Sequence, residues 1–261
     1  MSYENKISVL VSNYNKGNFL KETLLMLQKQ DYKNFEVILF DDASNDNSLE
    51  IIKKFKNIKV LLNKKKKFKF PALNQINALH ECFKLSKGQI ICLLDADDFF
   101  KKNKLIKIKN FFNSNTQAKS VFNFPQAKEN KFKFKKKSSN NIWPTIFPTS
   151  CISLKRENLK TFFKFIKSKE FPNLEIDTRF VIFSRFYNNE YNLISDKLTI
   201  YNDDDKGITS KVSKYSPNWW FRRKQAFMYM EYILNLKKEK MSFSFDRFVT
   251  YLISNLLRLN N

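Results

Sequence analysis

Gln89-Ile90-Ile91-Cys92-Leu93-Leu94-Asp95-Ala96-Asp97-Asp98 decides the fold of this chain. The run from Ile90 to Leu94 is wholly apolar and shows no alternation. It therefore reads as a strand buried on both faces, as in a parallel sheet covered by helices. Acidic residues crowd its C-terminal end. Like charges so close repel one another and are costly to desolvate, so a fold that gathers them needs a cation to offset the cost. Ligands of open α/β sheets bind outside the C-terminal ends of the strands. The stretch thus points to a divalent-metal site in a ligand crevice. The competing reading is that these acids cap a following helix near Lys101 to Phe112.

On either side of this stretch, residues 1–115 alternate between strand and helix patterns. Ile7 to Val11, Phe35 to Phe40 and Ile58 to Leu62 read as strands. Asn18 to Gln28, Leu49 to Phe55, Pro71 to Leu85 and Leu105 to Phe112 read as helices, with Asn45 to Ser48 as candidate caps and Pro71 near a first turn. Strands alternating with helices imply crossover units and a largely parallel sheet, an α/β fold. Beyond residue 115 the pattern loosens. Ser120 to Phe124 and Leu193 to Tyr201 suit strands; Arg156 to Ile166 and Asp177 to Phe186 suit helices. Lys128 to Asn141 reads as a basic loop. Trp219 to Leu236 and Phe245 to Leu259 read as amphipathic helices.

The 261 residues carry 48 Lys and Arg against 25 Asp and Glu, a formal charge of +23. That charge favours polyanionic partners: nucleic acid, an anionic membrane surface or phosphorylated substrates. A chain rich in Lys, Asn, Ile and Phe with only three glycines also matches the codon bias of an AT-rich genome. Cys82, Cys92 and Cys151 are widely spaced, which argues against a disulfide framework or a zinc site and fits a reducing cytoplasm. The opening MSYENKISVLVSNYN lacks a signal-peptide layout. No apolar stretch approaches the ~20 residues of a spanning helix, so any membrane contact is peripheral, at the inner face of the cytoplasmic membrane.

A second acidic strand end, Asp41-Asp42, falls on the same rim as Asp95 to Asp98 if the sheet is parallel. No GxGxxG or GxxxxGK[ST] motif is present. A nucleotide here would be held by carboxylates and metal and not by a glycine cradle. His80, the only histidine, lies mid-helix and reads as a packed or surface residue.

These residues, in this order, resemble the inverting family 2 glycosyltransferases of the GT-A fold. The resemblance is close from Ile7 to Phe112 and loose beyond. Ile7 to Asn15 looks like the opening strand and turn, with Ser12 where Pro is usual. Val37 to Asp46 looks like the nucleoside-binding strand end. Ala72-Leu73-Asn74 resembles the segment ahead of the metal strand, and Asp95-Ala96-Asp97-Asp98 is similar to the DxD element.

The resemblance implies a GT-A sheet whose Rossmann-like half binds a nucleotide-diphosphate sugar, UDP-type favoured. Residues 1–115 would be that half, 116–210 the acceptor-binding half and 211–261 a C-terminal amphipathic helical extension. Asp41 and Asp42 would contact base and ribose, with Ser12, Tyr14 and Asn15 alongside and Asn74 nearby. Asp95 and Ala96 would face ribose or sugar, and Asp97 would ligate Mn²⁺ or Mg²⁺ against the diphosphate. Inverting transfer needs a general base for the acceptor hydroxyl. Glu175-Ile176-Asp177 occupies the family's place for it, with Ile176 inserted in the usual adjacent pair. Asp177 is favoured over Glu175. Trp220 and Arg223 would lie near the acceptor, a surface glycan or its lipid-linked precursor. The C-terminal helices suit an anionic membrane contact, packing on the main domain or a homodimer.

Two other functions compete with this one. Lys131 to Lys137 alternates Lys and Phe, as a strand-gripping nucleic-acid site would, yet no recognised binding motif accompanies it. The same fold also serves nucleotidyltransferases.

Overall fold

A computed structural model describes residues 6–128, 142–202, 207 and 212–259. The basic stretch Lys131 to Lys137 lies outside the described residues. Eight strands form one sheet in the order β3-β2-β1-β4-β7-β6-β8-β5. They are β1 (Ile7–Asn13), β2 (Phe35–Asp42), β3 (Lys59–Asn63), β4 (Ile90–Asp95), β5 (Phe99–Phe100), β6 (Ser120–Ala127), β7 (Ile152–Lys155) and β8 (Leu193–Tyr201). Strands β3, β2, β1 and β4 are parallel. Strand β7 runs antiparallel to both β4 and β6, and β5 runs antiparallel to β8. Strands β6 and β8 pair parallel.

The helices are α1 (Gly17–Gln28), α2 (Ser48–Ile52), α3 (Pro71–Leu85), α4 (Lys104–Ser114), α5 (Arg156–Lys164), α6 (Ile176–Ile182), α7 (Pro217–Leu236) and α8 (Phe245–Leu259). Alternation along the buried strands divides the core into two. Ile7, Val9 and Val11 of β1 join Cys92 and Leu94 of β4 under α1, α2 and α4. Leu10, Ile91 and Leu93 point the other way, into a larger, phenylalanine-rich cluster with α3, α5, α6 and α7. The unbroken apolar reading of β4 is explained by this: both faces are covered.

Strand β1 is flanked by β2 on one side and β4 on the other, so the order reverses beside it. This is the crevice position of doubly wound sheets. The register sets Ser12 opposite Asp95 and Asn13 opposite Asp41. The two acidic strand ends therefore share one rim, as the sequence predicted.

Three local expectations need correcting. Strands β5 and β7, of two and four residues, carry too few positions to show a period and were not foreseen. The helix expected from Asp177 to Phe186 is α-helical only to Ile182 and then widens into a π turn, Phe183–Tyr187, whose two end rings stack at 4.9 Å. Helix α7 is not simply amphipathic. Ala226, Phe227, Tyr229, Met230 and Ile233 sit in the main core cluster while its other side meets α8.

Candidate active site

The turns after β1 and β2 clasp each other. Asn15 and Ala43 both have left-handed backbone, φ 51° and 60°, in a chain with few glycines to take such positions. Hydrogen bonds between the turns hold them. Asn15 N donates to Ser44 Oγ at 2.9 Å, and Asn45 N donates to Asn15 Oδ1 at 2.8 Å. Gly17 N donates to Asp46 Oδ2 at 2.8 Å, and a Cβ on Gly17 would sit 1.7 Å from Asn47 Oδ1. A side chain there would displace the Asn47 amide from this position.

Asp41 belongs to this clasp. Its carboxylate accepts from Asn13 Nδ2 (2.6 Å), Ser44 N (3.0 Å) and Ser44 Oγ (2.7 Å), and it is 1% exposed. It does not line the cavity below. Asp41, expected from sequence to contact base or ribose, is placed by the structure in the clasp. The carboxylate shapes the turn, because three donors converge on it from the turn side. Asn15 likewise braces the clasp and is not part of the wall.

A cavity of about 380 Å³ opens at the rim, within the usual range for small-molecule sites. Its wall gathers Ser12, Tyr14, Asp42, Asn74, Asp95, Ala96, Asp97, Glu175 and Asp177 of the residues expected from sequence. Asp42 accepts from Asn63 Nδ2 at 2.8 Å. Asn74 is committed in part to its own loop: it exchanges two hydrogen bonds with the Phe68 backbone, at 2.8 and 3.0 Å. Lys66 and Tyr14 close one side, with Lys66 Nζ 3.3 Å from the ring centre.

The carboxylates of the β4 end have different environments. Asp95 accepts from Ser12 Oγ (2.8 Å) and Gln75 Nε2 (2.7 Å). Burial, then the neighbouring charge of Asp97, push its carboxyl up to about 6. Asp97 pairs with Lys16 at 2.5 Å. Asp98 turns inward, where its Oδ1 accepts from Asn202 N at 2.9 Å. Its carboxyl is pushed well above the ordinary range by burial and by Asp97 and Asp95. None of the three caps a helix; α4 begins after Asn103. That excludes the capping reading.

Buried polar atoms at this wall have no partner among the described residues: Asn13 Oδ1, Asp98 Oδ2 and Asn202 Nδ2. Buried polar groups are normally satisfied, so these fit a polar or ionic occupant. Among the described residues no three metal-ligating side chains converge. A divalent ion held by Asp97 would take its remaining oxygens from a diphosphate and water, as Mg²⁺ commonly does.

Opposite this rim, the start of α6 supplies the second acidic pair. Glu175, 6% exposed, is ion-paired with Arg222 of α7. The Asp177 carboxyl is pushed up to about 7, chiefly by burial and then by the charges of Glu175 and Asp95; Arg222 opposes that rise. The loop before this pair hangs on Arg179, a fully buried side chain that donates to the carbonyls of Leu174, Ile166 and Phe171.

Trp220 and Arg223 are not brought to the cavity. Arg223 pairs with Asp246 of α8 and stacks over Trp143, while the Trp220 carbonyl accepts from Ser254 Oγ at 3.2 Å. The register of α7 explains this placement, since one residue of offset turns a helical side chain by about 100°. It is Arg222 that reaches the acids. Sequence reasoning also missed Lys16 and Gln75. Each adjoins a segment that was read, but neither belongs to an acidic or aromatic pattern. His80, expected as a packed or surface residue, lies with its ring centre 4.4 Å from that of Phe163, the two rings tilted.

Residues 8–191 match the family profile described as glycosyl transferase family 2. Among relatives, an uncharacterised glycosyltransferase of Haemophilus influenzae is 38% identical over 42% of this chain and 43% of its own length. The Escherichia coli UDP-Glc:alpha-D-GlcNAc-diphosphoundecaprenol beta-1,3-glucosyltransferase WfaP is 31% identical over 38% of each. The matched segments thus span less than half of these relatives. Among solved structures, S. aureus TarS 1-349 in complex with UDP-GlcNAc superposes with a TM-score of 0.66 at 19% identity, covering 88% of this chain and 70% of TarS. Mannosyltransferase PcManGT from Pyrobaculum calidifontis, in complex with GDP-Man and Mn²⁺, superposes at 0.56 with 14% identity, covering 96% and 69%. The fold shared with these structures, and a profile that spans most of the chain including both acidic strand ends and Asp177, establish that the chain belongs to glycosyl transferase family 2 and has the GT-A fold.

Proposed function

We propose that this chain transfers a sugar, with inversion, from a nucleotide-diphosphate donor to a hydroxyl of a glycan or lipid-linked acceptor in envelope biosynthesis. One observation carries the reading. A single cavity gathers Asp42 from β2, Asp95 and Asp97 from β4, and Asp177 from α6. Two similar proteins favour a UDP-type donor: TarS was solved with UDP-GlcNAc, and WfaP is named for UDP-Glc and a diphosphoundecaprenol acceptor. The three cysteines are buried free thiols, which fits a reducing, cytoplasmic setting.

In this reading Asp42 and the Ser12 to Tyr14 turn hold the nucleoside. Asp95, fixed by Ser12 and Gln75, meets the ribose or sugar. Asp97 holds Mn²⁺ or Mg²⁺, which would supply charge stabilisation for the departing diphosphate. Lys16, paired with Asp97, stands where it can follow that charge. Asp177 accepts the acceptor's proton. A carboxyl titrating near neutrality suits this task, since a base works best with a pKa near the operating pH. Glu175, held by Arg222, raises the proton affinity of Asp177.

The test is transfer or donor hydrolysis across a panel of sugar nucleotides with Mn²⁺ or Mg²⁺. Asp97→Ala is expected to lower kcat/KM by about a hundredfold and to make it insensitive to chelator. Unchanged kcat/KM, still lost with chelator, would place the ion elsewhere. Arg222→Gln removes the cation that holds Asp177 down, so the rising limb of the pH–kcat/KM profile should move to higher pH by about half a unit or more. A limb that stays in place would remove Asp177 from the titration.

The nucleotidyltransferase alternative predicts pyrophosphate release from nucleoside triphosphates, which the same panel reads. Nothing in the cavity favours it.

A further inference from the structure

Helix α8 is built inside out. Its inward face is polar. Thr250 and Ser254 are buried at 0% and 1% exposure; Thr250 Oγ1 accepts from Arg223 Nε, and Ser254 Oγ donates to the carbonyl of Trp220. Arg247 and Tyr251 reach Glu231 of α7 at 2.8 and 3.1 Å. Its outward face is apolar. Phe245, Phe248, Leu252 and Leu256 recur at helical spacing and are 72%, 55%, 49% and 53% exposed, and Phe243, just before the helix, is 78% exposed. Scattered exposed apolar residues are ordinary, but a contiguous stripe on one helix face marks a contact surface. Simple repacking would not hide it, because the polar face is the one already bonded to α7.

The charge around the stripe selects the occupant. Residues 211–261 carry ten Lys and Arg against three Asp and Glu. All three acids are engaged by cations in the chain: Glu231 by Arg247, Glu239 by Lys237 and Asp246 by Arg223. Of the other cations Arg222 is paired with Glu175, while Lys214, Lys238 and Lys240 are exposed. Lys237, Lys238 and Lys240 immediately precede Phe243 along the chain. A second copy of a +23 chain would meet this surface with like charge. An anionic surface meets it with opposite charge. Aromatic and aliphatic side chains on one helix face, beside cations, are the composition of helices that lie in the headgroup layer. Among the described residues no helix is long and apolar enough to cross a membrane, so the contact is in the plane.

We propose that the outward face of α8, Phe243 through Leu256, docks on the surface of an anionic lipid bilayer. The proposal does not depend on the donor or on the chemistry at Asp177. It does have a consequence for the site. Adjacent residues of α7 tie the two together, Arg223 to Asp246 of the docking helix and Arg222 to Glu175 of the cavity wall.

The test is co-sedimentation of the full chain with vesicles of phosphatidylcholine alone or with about a third phosphatidylglycerol, a content that gives the surface a potential cations sense. The expected result is binding to the anionic vesicles that is at least about tenfold tighter than to the neutral ones and weakens with salt. Phe248→Ser with Leu252→Ser, both at half-exposed positions, should lower that binding by about tenfold or more while leaving the circular dichroism unchanged. A second readout needs no destabilising change. The native cysteines are buried, so an environment-sensitive dye on Phe248→Cys labels one exposed position. Its emission should shift to the blue with anionic vesicles. The proposal is overturned if the chain stays in the supernatant and the dye does not shift. It is equally overturned if the double variant binds like the parent, or if the stripe proves to be a self-association face, seen as a dimer in sedimentation equilibrium that the same double substitution dissociates.

Discussion

Asp177→Asn is expected to cut kcat by about 10²–10⁴-fold, the usual contribution of a positioned general base, while the affinity for the sugar nucleotide stays within about twofold. The substitution is isosteric and removes only the ability to accept a proton. The expected stability change separates chemistry from folding. In the folded chain the Asp177 carboxyl is raised to about 7 from an ordinary value of 3.8. Between those two values the unfolded chain has already lost a proton that the folded chain still holds. This group therefore subtracts stability as pH rises through that window, and the loss is complete above about 7. The Asn variant avoids the loss, so at neutral or higher pH it should melt at the same temperature as the parent or above it. A dead but undiminished protein is the predicted pairing. Glu175→Gln should behave differently. Its carboxylate is already committed to Arg222, and its removal should shift the pH profile downward by relieving Asp177 of a nearby negative charge. Full activity in Asp177→Asn, with loss in Glu175→Gln, would reverse the assignment.

Arg179→Leu is the second large effect, and it acts on the fold. The guanidinium is fully buried and bridges the carbonyls of Ile166, Phe171 and Leu174. Burial lowers its pKa to about 10, so it remains charged at neutral pH. Leucine fills part of the volume but leaves three carbonyls in a dry environment without this donor. At roughly 1–3 kcal/mol for each unsatisfied group, with partial relaxation, the expected loss is about 3–5 kcal/mol. That corresponds to about 10 °C in the melting temperature of a chain of this size. Arg179→Lys should recover only part of it, because a single ammonium cannot hold the planar spread of a guanidinium. The loop concerned runs directly into Glu175 and Asp177. A Lys variant that still folds should therefore show a kcat deficit larger than its change in KM. Thermal unfolding decides the stability claim; an Arg179→Leu protein that melts like the parent would show that the loop is held by other contacts.

How much of this was legible beforehand depends on the kind of signal. Runs such as Ile90 to Leu94 and periodic stretches such as Pro71 to Leu85 report burial directly, because a residue's side-chain polarity matches the faces of its own element. Apart from β5, the strand and helix order up to residue 115, and the strand Leu193 to Tyr201, followed from this. Strands β5 and β7 did not, since two or four residues hold too little periodicity. The acids of the rim were legible as a set because each cluster follows an apolar run that reads as a strand of the same parallel sheet. Their individual tasks were not. Asp41 and Asp42 are adjacent and identical in type, yet one is enclosed by Asn13 and Ser44 while the other lines the cavity. The same holds for Arg222 and Arg223, which the rotation of a helix sends to different neighbours.

By itself, then, the sequence determined the class of the fold, the rim at which a ligand would gather and the family resemblance that the profile later bore out. These follow from local pattern, and burial on two faces or a carboxylate after a strand needs no distant partner to be recognised. Only the tertiary structure decided which acid turns inward, which arginine meets Glu175, how far Asp177 departs from an ordinary carboxyl and which side of α8 faces out. Each of these is a property of groups far apart in the chain and close in space. Desolvation and Coulomb interaction depend on distance and surroundings, and neither is written into the order of residues until the sheet has set β1 between β2 and β4.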